Sequence, residues 1–345
     1  MHNPRVLVVA TSRKTRGGIT SVIKAYETGE QWKKFHCKWI ETHRDGNFIR
    51  KIWYLFTAFL EYIMLLPFYN IIHIHVATTK SAKRKLLFLY PAKWMKKKII
   101  IHFHPSNEKF LFEPQNKKIY RSLFLQANLV LVLSNQWRKW INEALDITEN
   151  IEILYNPCAQ VSRGKYGKKN YILFAGSIIA RKGYADLIKG FSLIKSKYPD
   201  WTLVFAGNGE IEQAKKLAQQ YEIEQQTQFL GWVTNEKKEK IFQESSIYCL
   251  TSYGEGFPMG VLDAWAYGIP CIVTPVGGIP DIIQDNQNGL IYPAGDIMAL
   301  SKQLDKLISN PTLREYIVKQ SDQYVSGEFN IKTICKKLEL IYLSL

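Results

Sequence analysis

The chain has 345 residues, of which 46% are hydrophobic and 22% are charged, a balance typical of a soluble globular protein with a buried core. This length exceeds that of a usual single domain, so it predicts two domains. The five cysteines are widely scattered and no two have metal-ligand spacing, which excludes a disulfide framework and favours a reduced, cytosolic compartment.

The net charge of +16 is distributed unevenly along the chain. Residues 1–168 hold 28 Lys and Arg against 11 Asp and Glu, whereas residues 169–345 hold 18 against 19. A basic first half and a neutral second half indicate two different tasks. We expect the first half to face a membrane surface, a lipid phosphate or a nucleic acid. Nucleic acid is disfavoured, because no aromatic and basic recognition motif accompanies the charge.

The first predicted element is a strand over residues 5–10, whose apolar run is too short for the core of an export signal. A loop with Gly17 and Gly18 follows, and then a helix over residues 19–26. A continuously apolar strand, a glycine turn and a helix are typical of a parallel sheet that is covered on both faces.

Residues 52–66 form the most hydrophobic stretch, which is too short for a membrane span and contains Glu61. The first interpretation is a buried or half-buried helix. The alternative is a helix that inserts shallowly into a lipid interface. The aromatic side chains that would enter the lipid are Trp53, Tyr54, Phe56 and Phe59.

The remaining elements continue this alternation of strands and helices and predict doubly wound α/β domains. The first half adds strands over 71–75, 98–103 and 129–133, and the polar, basic residues 161–170 are the predicted linker. The second half adds strands over 171–175, 202–206, 247–250 and 270–273, and a final helix over 331–345. Ligands of such sheets bind beyond the carboxyl ends of the strands, so we expect the chemistry in the loops that follow strands.

The strongest such loop opens the segment 252–268 and carries Glu255. Pro258 suits the first turn of a helix, so the amides of Gly256, Phe257 and Met259 would form an anion site for a diphosphate or for sugar oxygens. Asp263 lies about two helical turns further on, so both carboxylates would line one side of a cleft.

This segment resembles the E-x7-E signature of the retaining family 4 glycosyltransferases (glycosyl transferases group 1), which include bacterial polysaccharide and capsule biosynthesis enzymes. The resemblance implies the GT-B fold, in which two Rossmann-like doubly wound α/β domains face each other across a cleft. It also implies that Glu255 contacts the transferred sugar. Asp263 stands where the family has Glu, and it would contact the nucleotide ribose with a reach one methylene shorter.

The same resemblance implies an acceptor-binding domain over residues 1–165 and a donor-binding domain over 170–329. The C-terminal helix, 330–345, would pack back onto the first domain. A first domain that binds an acceptor on an anionic membrane would explain why the first half of the chain is basic and the second is not.

A second match to the family lies in residues 174–183. Lys182 and the glycine after it match the Lys-Gly that serves the donor diphosphate. Ser177 occupies the position of the family arginine, and Arg181 is placed to supply the missing guanidinium. A cationic pair would stabilise the diphosphate as it leaves.

Weaker matches complete the donor site that the resemblance implies. Gly207 and Asn208 form a loop after a strand, near the nucleotide. Gly17 and Gly18 match a glycine loop whose backbone approaches the donor phosphate, where a side chain would block that approach.

One histidine of the family lies beside the reactive centre, and His104 is the candidate for that catalytic role. His102 lies within a strand and is expected to pack or to orient a neighbour. His73 and His75 alternate onto one face of a strand and are interpreted as structural.

The implied reaction is transfer of a hexosyl unit, with retention, from a nucleotide-diphosphate sugar to a membrane-associated glycolipid or polysaccharide precursor. A UDP-sugar is favoured over a GDP-sugar. We expect a cytoplasmic enzyme, peripheral at the inner face of the cell membrane. Neither a cofactor nor a divalent metal is implied, because no Asp-x-Asp follows a strand and no His/Cys cluster has metal-ligand spacing.

Two alternatives remain open. One is a catalytically silent relative that acts as a binding or stabilising subunit, which the departures at Ser177 and Asp263 favour. The other is a nucleotide-sugar 2-epimerase, which would need additional acid/base carboxylates in a first half that has few.

Overall fold

The computed structural model describes residues 3–345 and divides the chain into two compact units. Unit 1 comprises the residues up to Pro157 together with Ile331–Leu345, and unit 2 comprises Cys158–Asn330. The division lies just before the polar segment 161–170, and the strand series of unit 2 begins at Lys169, inside that segment.

Unit 1 contains a six-stranded parallel sheet in the order β2-β1-β3-β4-β5-β6. Its strands are β1 (Val6–Ala10), β2 (Lys38–Glu41), β3 (Ile71–Val76), β4 (Lys98–Phe103), β5 (Leu129–Val132) and β6 (Ile151–Ile153). Its helices are α1 (Gly18–Glu27), α2 (Glu30–Lys34), α3 (Phe48–Leu65), α4 (Thr79–Trp94), α5 (Lys109–Phe112), α6 (Pro114–Leu125), α7 (Asn135–Leu145) and the last helix of the chain, α14 (Ile331–Ser344). Strands β1, β3 and β5 are buried at every residue, as expected for a parallel sheet that is covered on both faces.

Helix α14 packs within unit 1, although it follows unit 2 in the sequence. The Tyr342 ring meets Phe35 edge-on with ring centroids 5.2 Å apart, and Glu339 forms an ion pair of 2.6 Å with Lys34 at the end of α2. The buried residues of α14 recur at helical spacing, so one face of the helix lies in the core of unit 1.

Helix α3 covers one face and exposes the other, so residues 52–66 form a half-buried helix and the fully buried alternative is wrong. Only 17% of its most apolar 18-residue window is buried, and Ala58 and Tyr62 are its fully covered positions. Phe48–Phe68 is long and apolar enough to cross a membrane by length and composition. The large apolar side chains of this segment that are exposed are Phe48, Ile49, Ile52, Trp53, Phe56, Leu60, Ile63, Met64 and Phe68.

Unit 2 contains a second six-stranded parallel sheet, in the order β12-β11-β10-β7-β8-β9. Its strands are β7 (Lys169–Ala175), β8 (Thr202–Ala206), β9 (Thr227–Phe229), β10 (Ser245–Leu250), β11 (Cys271–Val273) and β12 (Leu290–Ile291). Its helices are α8 (Tyr184–Ser192), α9 (Ile211–Gln220), α10 (Asn235–Glu244), α11 (Met259–Ala266), α12 (Ile297–Ser309) and α13 (Pro311–Ser326).

The strand order of unit 2 reverses between β7 and β10. Strand β7 is the first of its series, with β8 and β9 on one side and β10, β11 and β12 on the other. Such a switch point opens a crevice at the carboxyl ends of the two strands, and ligands of doubly wound sheets bind there. In unit 1 the corresponding reversal lies between β1 and β3.

Candidate active site

The loops that follow β7 and β10 meet at the switch point of unit 2. The backbone N–H of Tyr253 donates to the carbonyl of Arg181 at 2.8 Å. The buried Thr251 hydroxyl donates to the carbonyls of Lys182 and Gly183, at 3.1 and 2.7 Å. These bonds bring together the two segments that the sequence assigns to donor binding, 174–183 and 252–268.

Glu255 is buried at the centre of this junction, with 6% of its surface exposed. Its Oε1 accepts hydrogen bonds from the Lys182 ammonium and from the Ser252 hydroxyl, each at 2.5 Å. Removing one partner of such an ion pair strongly destabilises the folded protein, because the other charge is left buried without a counter-charge. The carboxylate is thus held in one orientation, and Oε2 remains to accept further hydrogen bonds.

The Arg181 guanidinium donates through Nη1 to the carbonyl of Gly254, the residue before Glu255. A guanidinium has five N–H donors, so this bond leaves others for a second anionic group. Arg181 and Lys182 therefore place two cations beside the loop of Glu255, as the sequence predicts. Ser177, at the position of the family arginine, is exposed in the loop after β7.

The segment from Gly256 to Met259 leads into helix α11 and corrects one detail of the sequence interpretation. The helix begins at Met259, so Pro258 is its N-cap and does not lie in its first turn. Gly256, Phe257 and Pro258 are buried, and Met259 is half-buried. The first backbone N–H groups of α11 have no partner within the helix, which suits them to an anion.

Asp263 is the fifth residue of α11, so it lies little more than one helical turn inside the helix. The expected separation of two turns from Glu255 is wrong because Glu255 precedes the helix. Asp263 forms an ion pair of 2.7 Å with Lys238 of α10, whereas Glu255 pairs with Lys182. The two carboxylates thus have separate cationic partners.

Gly207 and Asn208 follow β8, and the structure gives a packing reason for the glycine. A Cβ at Gly207 would lie 1.7 Å from the carbonyl oxygen of Gly176 in the neighbouring loop. The backbone carbonyl of Asn208 accepts a hydrogen bond from the backbone N–H of Ile178 at 2.8 Å, and the residue is exposed. Their contact with the donor stays a prediction.

Gly17 and Gly18 follow β1, at the switch point of unit 1, and both are exposed. Gly17 is the N-cap of α1 with φ of 152°, a backbone conformation that L side chains rarely adopt. A Cβ there would meet nothing within 4 Å. The space beside Gly17 is consistent with the expected approach of a ligand to its backbone.

The four histidines singled out by the sequence form one stack on a single face of the unit 1 sheet. Strand pairing sets His75 opposite His102, and side-chain alternation adds the other two. His102 and His104 have ring centroids 4.1 Å apart, and His73 and His75 have centroids 4.5 Å apart. His104 ends the stack just beyond β4, and its backbone N–H donates to the backbone carbonyl of Val76 at 2.6 Å.

Burial keeps these imidazoles neutral. It lowers the pKa of His73 and of His104 to about 3. It also holds the pKa values of His75 and His102 well below their usual range, and mutual repulsion with the neighbouring histidines adds to this effect.

Three histidines of the stack could hold a metal ion: His73, His75 and His102. One ring nitrogen of each lies within 4.8 Å of those of the other two, and no other such group is present in residues 3–345. The sequence shows no such cluster, because the residues are separated along the chain. The planes of their rings lie at 11–33° to one another. That no divalent metal takes part in the reaction stays a prediction.

Residues 159–324, nearly all of unit 2, match the family model described as glycosyl transferases group 1. Unit 2 thus carries the region that matches this family of glycosyltransferases. The resemblance found in the sequence, which rests on Glu255 and Lys182, is therefore confirmed at the level of the family.

The relatives of this chain include an uncharacterized glycosyltransferase of Haemophilus influenzae, 33% identical over 55% of this chain and 54% of its own length. A second, from Campylobacter jejuni, is 24% identical over 72% of this chain and 66% of its own. That protein is named GalNAc-alpha-(1->4)-GalNAc-alpha-(1->3)-diNAcBac-PP-undecaprenol alpha-1,4-N-acetyl-D-galactosaminyltransferase. The chain thus spans 54% and 66% of these two curated relatives.

Among solved structures, Anabaena Alr3699/HepE in complex with UDP and glucose resembles this chain over 99% of its residues and over all of the Anabaena chain. The TM-score is 0.81 at 15% sequence identity, so the likeness is one of fold. Together with the two parallel six-stranded sheets, it confirms the predicted GT-B fold.

Two residues of the candidate site were not predicted from the sequence. Ser252 bonds to Glu255, and Lys238 pairs with Asp263. A serine three residues before a carboxylate in a turn is a detectable signal for such a bond. Lys238 gives no comparable signal, because it is one of several lysines on α10 and its pairing depends on how α10 packs.

Proposed function

We propose that the chain is a retaining glycosyltransferase that moves a hexosyl unit from a nucleotide-diphosphate sugar to a membrane-associated glycolipid or polysaccharide precursor. The observation that carries this proposal is the buried Glu255, held by Lys182 and Ser252 at the switch point of unit 2, with Arg181 beside it. This arrangement supplies one carboxylate for sugar hydroxyls and two cations for a diphosphate.

The roles follow from this charge arrangement. Glu255 would accept hydrogen bonds from the transferred sugar. Lys182, Arg181 and the first amides of α11 would neutralise the diphosphate as it leaves, without a divalent metal. Retention and the part of His104 at the reactive centre rest on the family resemblance.

The donor that we favour is a UDP-sugar, with a GDP-sugar as the alternative. Support comes from Alr3699/HepE, which has the same fold and was crystallised with UDP and glucose. Asp263 would contact the ribose, and the donor would then compete with Lys238 for that carboxylate.

The acceptor that we propose is lipid-linked, and the enzyme would act as a peripheral protein on the cytoplasmic face of an anionic membrane. The name of the Campylobacter jejuni relative includes an undecaprenol-linked acceptor. Unit 1 carries the exposed apolar side of α3, and on α4 the exposed Lys80, Lys83, Leu87, Tyr90 and Trp94 recur at helical spacing. Apolar side chains beside lysines fit a bilayer that contains anionic lipid.

A donor screen with membrane lipid extract tests the proposal. Purified protein is incubated with UDP-, GDP- and ADP-sugars, with and without the extract, and the released nucleoside diphosphate is measured. We expect UDP release that depends on the extract. Absence of release from every donor would refute the transferase.

A specific observation also supports a second candidate, a silent relative that binds a nucleotide sugar without turnover. Asp263 is already paired with Lys238, and Ser177 replaces the family arginine. Calorimetry with UDP-sugars separates the two functions, because donor binding without release of UDP favours the silent relative.

A further inference from the structure

The histidine stack of unit 1 contains two hydrogen-bonded series, and their endpoints differ. In one, Nδ1 of His102 lies 3.3 Å from Nε2 of His73, whose Nδ1 lies 2.8 Å from the Tyr342 hydroxyl. In the other, Nδ1 of His75 lies 2.9 Å from Nε2 of His104. The first series thus ends on the buried Tyr342 of helix α14, whereas the second ends on the candidate catalytic residue, His104.

The position of each proton follows from the nitrogens that lack partners. In residues 3–345, Nε2 of His75 and Nε2 of His102 are buried without a hydrogen-bond partner. A neutral imidazole has one N–H and one bare nitrogen. Buried donors without an acceptor are rarer than under-satisfied acceptors, so the bare nitrogen of each ring is Nε2 and the proton is on Nδ1.

This assignment propagates to His104. Because Nδ1–H of His75 donates, Nε2 of His104 must accept and is therefore bare. The proton of the neutral His104 is then on its own Nδ1. In the described part of the chain that nitrogen has no partner, and His104 is 9% exposed whereas the other three rings are 0–1% exposed.

We propose that His75 is a positioning residue that fixes His104 as its Nδ1–H tautomer, so that His104 donates a hydrogen bond to the substrate and is not a general base. The proposal rests on the proposed function only for the identity of the acceptor, an oxygen of the transferred sugar or the diphosphate. The tautomer itself depends on the stack alone.

The surroundings of the stack favour a neutral donor. The groups facing His75 are His73, His102, His104 and the buried Lys85, which would repel an added proton. The Tyr26 ring stacks on His102. A donor that stays neutral keeps its hydrogen bond over the whole physiological pH range.

Long-range ¹H–¹⁵N NMR of the full chain, labelled with ¹⁵N-histidine, reads the tautomers directly. We expect His104, assigned by the loss of its signals in His104→Asn, to show a bare Nε2 and a protonated Nδ1 from pH 5.5 to 8. A protonated Nε2, or an imidazolium at pH 6.5, would overturn the proposal. This readout needs no sugar transfer, so it stands even if the proposed function fails.

Kinetics then separate positioning from packing. We expect His75→Leu to lower kcat about tenfold with the donor KM within twofold, and His75→Asn, whose amide can donate from near Nδ1, to recover most of that loss. His73→Leu is the matched control: it removes a buried imidazole from the same strand without a bond to His104, and kcat should stay within twofold. Equal losses of kcat in His75→Leu and His73→Leu would make the stack purely structural and contradict the proposal.

Discussion

The two units have the same architecture of a parallel six-stranded sheet, yet they differ in charge and in titratable groups. Unit 1 holds 28 Lys and Arg against 12 Asp and Glu, and unit 2 holds 18 against 18, so the whole net charge of +16 belongs to unit 1. All seven histidines also lie in unit 1. The same architecture thus has a different surface in each unit. Unit 2 has a few paired charges at its switch point, whereas unit 1 exposes an excess of positive charge and a large apolar surface.

The largest effect is expected where unit 2 concentrates its charge. Lys182→Met removes the cation next to Glu255 and should lower kcat on the order of 100–1,000-fold, the usual loss for one group that stabilises developing charge. The matched control is Lys238→Met, which breaks the ion pair of Asp263 and should lower kcat only a few-fold. Steady-state kinetics of both variants measure how much each ion pair contributes to kcat. Equal losses of kcat would show that the Lys182–Glu255 pair is no more important than the Lys238–Asp263 pair.

The second expected effect concerns the exposed apolar surface of unit 1. Replacing Trp53, Phe56 and Met64 by Ser should lower partitioning onto vesicles with anionic lipid at least tenfold, because each side chain loses roughly 1.5–3 kcal/mol of burial. The control replaces Leu193, Met298 and Tyr316 by Ser, which are comparably exposed apolar residues of unit 2. Sedimentation with vesicles measures both. Equal loss in both variants would show that α3 has no special role.

The third effect is a selective acid sensitivity of unit 1. The pKa values of His73 and His104 are lowered to about 3 from 6.5, and those of His75 and His102 are lowered in the same direction. The unfolded chain therefore binds more protons, and stability that is fully present above pH 6.5 declines as the pH falls toward 3, by up to about 1.4 kcal/mol per pH unit for each histidine.

Hydrogen exchange at pH 7 and pH 5 measures this sensitivity by region. Peptides from β3 and β4 should lose protection at pH 5 more than peptides from β7 and β8, because unit 2 has no histidine. Equal loss in both sheets would show that carboxylates common to both units, and not the histidine stack, control acid stability.

The smallest effect is expected at Asp263. Asp263→Glu restores the longer side chain of the family and should tighten UDP binding about two- to threefold if this residue contacts the ribose. Isothermal titration measures the change. A weaker affinity would mean that the shorter side chain is matched to Lys238 and not to the nucleotide.

The sequence predicted the interior of both sheets well and missed their edges. Strands β4 and β8 have the predicted bounds, whereas β2, β6, β9 and β12, the edge strands, were not predicted. Edge strands here have two to four residues and few apolar positions, so the hydrophobic pattern that reveals a buried parallel strand is missing.

The part of the candidate site that lies in loops directly after strands was predictable from the sequence. Glu255, Arg181 and Lys182 were assigned from their motifs, and the fold brings them together at one switch point. The stack of His73, His75, His102 and His104 depends on the register between β3 and β4, which strand patterns do not fix. The exposed side of α3 was likewise hidden, because the helix is apolar on both sides and its pattern does not show which one faces solvent.

In the proposed function, Glu255 binds the transferred sugar and not the nucleotide. The most direct test of this role compares sugar transfer with UDP affinity in Glu255→Gln, which keeps the size of the side chain and removes its charge. We expect transfer to fall on the order of 1,000-fold while UDP affinity stays within about threefold. Parallel loss of transfer and of UDP affinity would contradict it.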